Sequence, residues 1–167
     1  MLVDAYKPYI SGVTNFVALN KSQLEKMGHE VFVFTFGRNP EPDDETNVIR
    51  STGIPLGRTG FFLGLGYSAT ARRLMQTMDV LHVHHPFLSG QMAIRYRRAK
   101  HIPIVFTNHT RYDLYAQVYL RFIPHSLMSW FLRLYLPRFY RVCDQVIAPS
   151  EGARQFMLGL GKGYSVK

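Results

Sequence analysis

The run Val31-Phe32-Val33-Phe34-Thr35-Phe36 is apolar on both faces that a strand presents, and it is built from β-branched and aromatic residues. A half-exposed strand alternates; one without alternation has to be covered above and below. That is the condition of a strand inside a parallel sheet with helices on both sides. DVLHVH at 79–84, IPIVFTN at 102–108 and QVIAP at 145–149 read as further strands. Between them lie segments with helical spacing. Val13 to Met27 is apolar at 13, 16, 17, 24 and 27 and closes on Gly28, the residue type of a left-handed cap. Tyr67 to Met78 is a second helix. Ser89 is read as the cap of a third, running to Lys100 with Arg95, Arg97, Arg98 and Lys100 outward. A long helical stretch fills 112–142, broken near Pro124 and strained or kinked at Pro137. Ser150-Glu151 open a last helix that ends near Gly159.

Strands that alternate with helices give the α/β class: a Rossmann-like open parallel sheet with helices on both faces, in one domain over residues 1–167. A short strand is expected at 48–54, and 57–66 reads as irregular and glycine-rich. Two edges look incomplete. The first strand is only Leu2-Val3-Asp4 with Met1, where five or six residues are usual. The closing Tyr164-Ser165-Val166-Lys167 reads as entry to another strand. The expectation is one domain of a longer protein, or a chain with a late start.

The lone Cys143 leaves no internal disulfide and fits a reducing compartment. No run reaches 18 apolar residues, and the first residues lack the pattern of a signal peptide. Charge is uneven. The chain carries net +9, and between Thr46 and Ser150 the 13 basic residues face only Asp79, Asp113 and Asp144. Such a field attracts phosphate on a nucleotide, a nucleic acid or an anionic lipid surface, and composition does not choose among them.

Ligands of open α/β sheets sit beyond the carboxyl ends of the strands. The first such place is the loop Ala5–Gly12. Gly12 at a helix start either serves a tight turn or lets a phosphate or sugar approach, with the amides of Val13 and Thr14 pointing at it. The spacing is not that of a dinucleotide fingerprint. The second place is His82-Val83-His84-His85-Pro86-Phe87, open to structural, ligand-contact and metal readings. A zinc site would need further ligands that are not nearby in sequence. Asp43-Asp44 read as a solvated turn, and no paired-acid metal motif is present. The third is His109, delivered to a strand end, where a neutral imidazole can bond a substrate hydroxyl or serve packing alone.

Leu114 to Cys143 has no acid, four arginines (Arg121, Arg133, Arg138, Arg141) and eight aromatics including Trp130. Leu127, Phe131, Leu134 and Arg138 follow helical spacing, and Arg133 and Tyr140 lie one heptad apart. This is the composition of an interfacial helix on anionic lipid; helices packed on the sheet with solvated arginines are the alternative. Phe61 to Met78, with Arg72 and Arg73, is a second such patch.

Taken in order, DAYKPYISGVTNFV, LEKMGHEVFVFTF, DVLHVHHPFLSG, IPIVFTNHTRYDLY and CDQVIAPSEGAR resemble the amino-terminal domain of family 4 retaining glycosyltransferases of the GT-B fold, most of all the bacterial branch that glycosylates diacylglycerol. The resemblance implies two Rossmann-like domains around a cleft, this chain being the acceptor-side one and the donor-binding domain being absent from it. It places Ser11, Gly12 and Val13 at the donor and His109 at the donor sugar as the catalytic imidazole. It places Tyr9, His84, Pro86, Thr110 and Tyr112 around the acceptor or cleft. Arg72, Arg73, Arg121, Trp130, Arg133, Arg138 and Arg141 become membrane contacts.

The resemblance further implies a nucleotide-sugar such as UDP-glucose as substrate, no cofactor and no metal. The partners are an anionic membrane surface, a lipid acceptor such as diacylglycerol and the chain's own carboxyl-terminal domain, with no nucleic acid. The expected location is cytoplasmic, peripheral on the inner face of the cell membrane. Retention in this family is a same-face substitution in which the leaving phosphate helps deprotonate the acceptor. The family's first loop carries Gly-Gly or Asn-Gly where this chain has Ser11-Gly12, and the diphosphate-gripping basic pair and Glu motif of the second domain are missing, so weak or no catalysis is expected of these residues alone. The competing readings are a non-catalytic lipid-surface module, a transferase of the same fold with a soluble sugar acceptor and, third, a nucleic-acid binder.

Overall fold

A computed structural model describes residues 1–38, 45–55, 62–112, 124–161, 164 and 166. Arg121, Asp43-Asp44 and the first part of the long helical stretch lie outside the described residues. The elements are α1 (Gly12–Lys26), β1 (Val33–Gly37), β2 (Val48–Pro55), β3 (Phe62–Gly64), α2 (Ala69–Met75), β4 (Leu81–Val83), α3 (Leu88–Lys100), β5 (Ile104–Thr107), α4 (His125–Val142), β6 (Gln145–Ile147) and α5 (Glu151–Gly159).

β1 pairs parallel with β2, and β4–β5–β6 form a second parallel set. Leu2 joins the two. It bridges Phe34 on one side and Val83 on the other, both parallel. Its amide donates to His82 (2.7 Å) and its carbonyl accepts from His84 (3.0 Å), while Val3 donates to Phe34 (3.0 Å). The short first strand is therefore the hinge of the whole sheet. At the far edge Val166 bridges Val146 in parallel, as the strand-like tail suggested. The order across the sheet is β3, β2, β1, Leu2, β4, β5, β6, Val166.

Both faces are covered. α1 lays Val17 over Val3, Val31 and Val33. On the other face Leu2, Phe34, Phe36, Leu81, Val83, Ile104 and Phe106 pack with Met75 of α2, Ala93 and Tyr96 of α3, Leu136, Phe139 and Tyr140 of α4 and Met157 of α5. The burial of all five β1 residues explains why that run shows no alternation.

Four expectations need correction. The glycine-rich stretch holds a strand: β3 pairs antiparallel with β2, with Gly53 opposite Gly64, so the sheet is not wholly parallel. Ser89 does not cap α3, whose cap residue is Phe87 without a side-chain bond. Ser89 lies inside the first turn, and its amide and hydroxyl both donate to the carboxylate of Asp4, 85 residues away, the amide at 3.0 Å. A long-range acid thus stands at the positive end of α3, where the local sequence offers none. Arg97 turns inward, bonding the Val142 carbonyl and Asp144 (2.8 Å). Arg133 and Tyr140 do not share a surface: Arg133 is exposed and Tyr140 fully buried, because the last turns of α4 enter the core with Pro137 among their buried residues.

Candidate functional site

The parallel strands bring the loop after Leu2-Val3, the residues after β4 and the residues after β5 to one rim. Ser11 caps α1: its hydroxyl accepts from the Thr14 amide (3.2 Å), and the Thr14 hydroxyl accepts from the Ser11 amide (2.7 Å). This reciprocal box corrects one expectation, for the Thr14 amide is not free. Those of Gly12 and Val13 have no intrachain partner among the described residues, and the first turn holds no acid. They leave a positive helix end with two unspent donors. Gly12 is helical and exposed, and a Cβ placed there meets nothing within 4 Å. Nothing in the packing of the described residues demands glycine at this position.

Behind α1 stands an array of imidazoles. His82 bonds Thr107 Oγ1 (2.8 Å) through Nε2. The rings of His82 and His84 lie 4.2 Å apart, and His84 Nδ1 meets His109 Nε2 at 3.0 Å. Phe16, one turn beyond Gly12, packs against His109 at 4.6 Å between ring centroids. The Gly12 helix and the imidazole at 109 thus share one wall. Next to them His85 Nδ1 accepts the Asp4 amide (3.1 Å).

Burial keeps the array neutral. It depresses His82 and His109 from 6.5 to about 4, lowers His85, and holds His84 well below its ordinary value. Repulsion among the imidazoles adds to burial at His82, His84 and His109. Desolvation outweighs the nearby Asp4 at His85. At pH 7 the imidazoles donate and accept hydrogen bonds as neutral rings. Among the described residues no three His, Cys, Asp or Glu side chains are grouped to hold a metal ion.

The remaining sequence candidates fall in two classes. Tyr9, Thr110 and His109 are half-buried at the rim. His84, Pro86 and Tyr112 are buried, His84 completely. Pro86 accepts from Tyr135 (2.6 Å), and Tyr112 lies edge-on to Phe87 at 5.4 Å. His84 reaches the rim only through His109. Sequence reasoning missed Asp4, the brace between His85 and Ser89, whose aspartate reads as an ordinary strand end. It also missed Phe16, whose helical spacing signals core. Asn108 beside His109 is fully buried, with neither side-chain atom bonded.

A groove of about 670 Å³ lies at the opposite, amino-terminal edge of the strands, lined by Leu24, Val31, Phe32, Met78 and Val80 among others. It lacks the free amides and helix start of the other rim, which is the better candidate on chemistry.

On α4, Leu132, Leu136, Phe139 and Tyr140 face the core, while Leu127, Trp130, Phe131 and Leu134 face solvent, Leu127 at 53% and Trp130 at 60% exposure. Arg133, Arg138 and Arg141 are exposed on the same helix. The Phe61–Met78 patch divides: Tyr67, Ala71 and Met75 are buried, leaving Leu65, Arg72 and Arg73 outward. No helix among the described residues is long and apolar enough to cross a membrane.

A sequence profile described as Glycosyltransferase Family 4 matches residues 10–163. The chain is similar to an alpha-monoglucosyldiacylglycerol synthase of Streptococcus pneumoniae, 29% identical over all of this chain and 37% of that protein. It is similar to the protein of that name from Acholeplasma laidlawii, 30% identical over 94% of this chain and 42% of the relative. A GDP-mannose-dependent alpha-mannosyltransferase of Mycobacterium tuberculosis is 22% identical over 96% of this chain and 44% of its own length. The chain spans less than half the length of these relatives.

Proposed function

Since the chain belongs to glycosyltransferase family 4, we propose that it is the amino-terminal, acceptor-side domain of a retaining enzyme that moves a hexose from a nucleotide-sugar such as UDP-glucose to a membrane lipid such as diacylglycerol. The observation that carries this reading is the shared wall of the Gly12 helix start and His109, joined by Phe16 at 4.6 Å. Two unspent amides at a positive helix end suit a diphosphate, and a neutral imidazole beside them suits the sugar. The names of the two relatives near 30% identity support the lipid acceptor.

In this reading the amides of Gly12 and Val13 take up charge as the diphosphate departs. His109 gives the sugar a fixed hydrogen bond without competing as a base. The departing phosphate helps take the acceptor proton, on the same face of the ring. Electrostatic support at the leaving group lowers the barrier, and no carboxylate nucleophile is required. A second domain supplies the rest of the cleft, so the 167 residues turn over weakly or not at all alone.

The exposed row Leu127, Trp130, Phe131 and Leu134, flanked by arginines, supports peripheral attachment to anionic lipid on the inner face of the membrane. Transfer of glucose from UDP-glucose to diacylglycerol in anionic vesicles, with the protein carrying its second domain, tests the proposal. His109→Ala is expected to lower kcat by about 100-fold or more. No transfer by the parent protein, or an indifferent His109→Ala, contradicts it.

A further inference from the structure

His84 is a fully buried imidazole with one nitrogen engaged and one sealed. Nδ1 meets His109 Nε2 at 3.0 Å; Nε2 is buried with no partner. One nitrogen of the contact must carry the proton and the other must accept it. If His109 donates from Nε2, neutral His84 has to keep its own proton on Nε2, where the N–H is sealed without an acceptor. If His84 donates from Nδ1, only a lone pair is sealed. Buried donors without a partner are the rarer of the two in folded proteins. The second arrangement is the one this environment favours.

We infer that His84 is a positioning residue: it donates Nδ1–H to Nε2 of His109 and thereby holds His109 as the Nδ1–H tautomer. Nδ1 of His109 has no partner among the described residues and, unlike Nε2 of His84, is not sealed from solvent. The rim therefore presents an N–H donor, not a base. Neighbours hold the pair in place. His82 lies 4.2 Å from the His84 ring and is itself tied to Thr107, while Phe16 packs against His109. The consequence rests on the function proposed above: His109 would offer its proton to an oxygen of the activated sugar or its diphosphate. The tautomer itself needs no substrate and no activity to be read.

The test is long-range ¹H–¹⁵N correlation of the imidazoles in the full 167-residue chain at pH 7. His85 serves as an internal reference, since the Asp4 amide already occupies its Nδ1 and leaves the proton on Nε2. The expected pattern for His109 is the opposite one: a pyrrole-type Nδ1 and a pyridine-type Nε2. In His84→Asn the carboxamide N–H stands where Nδ1–H was, and the His109 pattern should persist. In His84→Phe the donor is gone, and His109 should revert to the Nε2–H form that free histidine prefers. A pyridine-type Nδ1 at His109 in the parent chain overturns the inference, whether or not the variants fold. So does a His109 pattern that His84→Phe leaves unchanged. The two readings fail separately: a wrong tautomer with sugar transfer intact removes only this inference, and the expected tautomer without transfer removes only the function.

Discussion

Phe16 meets His109 with their rings 4.6 Å apart and inclined by 68°, so the first helix and the end of β5 lean on each other through two residues 93 positions apart. The contact sets the distance between the helix start at Gly12 and the imidazole. It also keeps water from one side of that imidazole, which is part of why His109 titrates near 4.

Phe16→Leu removes the aromatic edge and opens a gap. The loss of the ring pair should cost about 0.5–1.5 kcal/mol, and His109 should titrate closer to 6.5 as water returns to it. An NMR titration of the His109 ring protons reads the shift. An unmoved titration would mean that Phe16 does not keep the imidazole dry.

The neutral array makes the fold sensitive to acid. Between pH 6.5 and about 4 the unfolded chain binds protons on His82 and His109 that the folded chain does not accept, and the lowered His84 and His85 act in the same direction. The unfolded state thus holds more protons, and stability falls as pH falls across this window, levelling below the folded values. Among the described residues the groups facing the array are Asp4 and the Met1 amino group, itself lowered by burial to about 5 and acting in the same direction from pH 8 downward. Each unit of depression is worth about 1.4 kcal/mol. Urea unfolding at pH 7 and pH 4.5 should show a clear loss at the lower value; equal midpoints would contradict the account.

Gly12→Ala separates folding from ligand approach. The position is helical and the added methyl meets nothing, so stability should hold or rise by up to about 1 kcal/mol. UDP-glucose affinity of the two-domain protein should nevertheless drop by about tenfold, some 1.4 kcal/mol. Unchanged affinity would return Gly12 to a purely local role.

Replacing Trp130 and Phe131 together with serine should leave the melting temperature almost unchanged, since both side chains face solvent. Co-sedimentation with anionic vesicles should fall. Arg133→Glu and Arg138→Glu should weaken it further by removing about 1 kcal/mol of attraction each. Loss of vesicle binding by the arginine changes alone, with the aromatic pair irrelevant, would argue for adsorption without insertion.

The sheet was largely legible because unbroken apolar strands and glycine- or serine-marked helix ends are local signals. β1 and the Ser150 cap stand where the residues put them. What escaped was non-local. Asp4 works on a helix 85 residues away, and Gly53 pairs with Gly64 of the neighbouring strand, neither of which a window of neighbours can reveal. The Thr14 hydroxyl and amide are taken up by Ser11 in a box spanning four residues, whose second partner is a threonine and not the usual glutamate or glutamine. At the candidate site His109 could be placed on its rim from strand order alone. That His84 would stand behind it, sealed, could not, since two histidines sharing a strand face say nothing of how deep that face lies.

The central claim is that the Gly12 helix start and His109 receive one activated sugar between them. The direct measurement is to add UDP-glucose to the isotope-labelled protein carrying its second domain and follow the amides of Gly12 and Val13 together with the ring of His109. The account predicts that all three shift along one common binding curve. Shifts gathered instead at the far edge, around Leu24, Val31 and Val80, with those three unmoved at saturation, would contradict it.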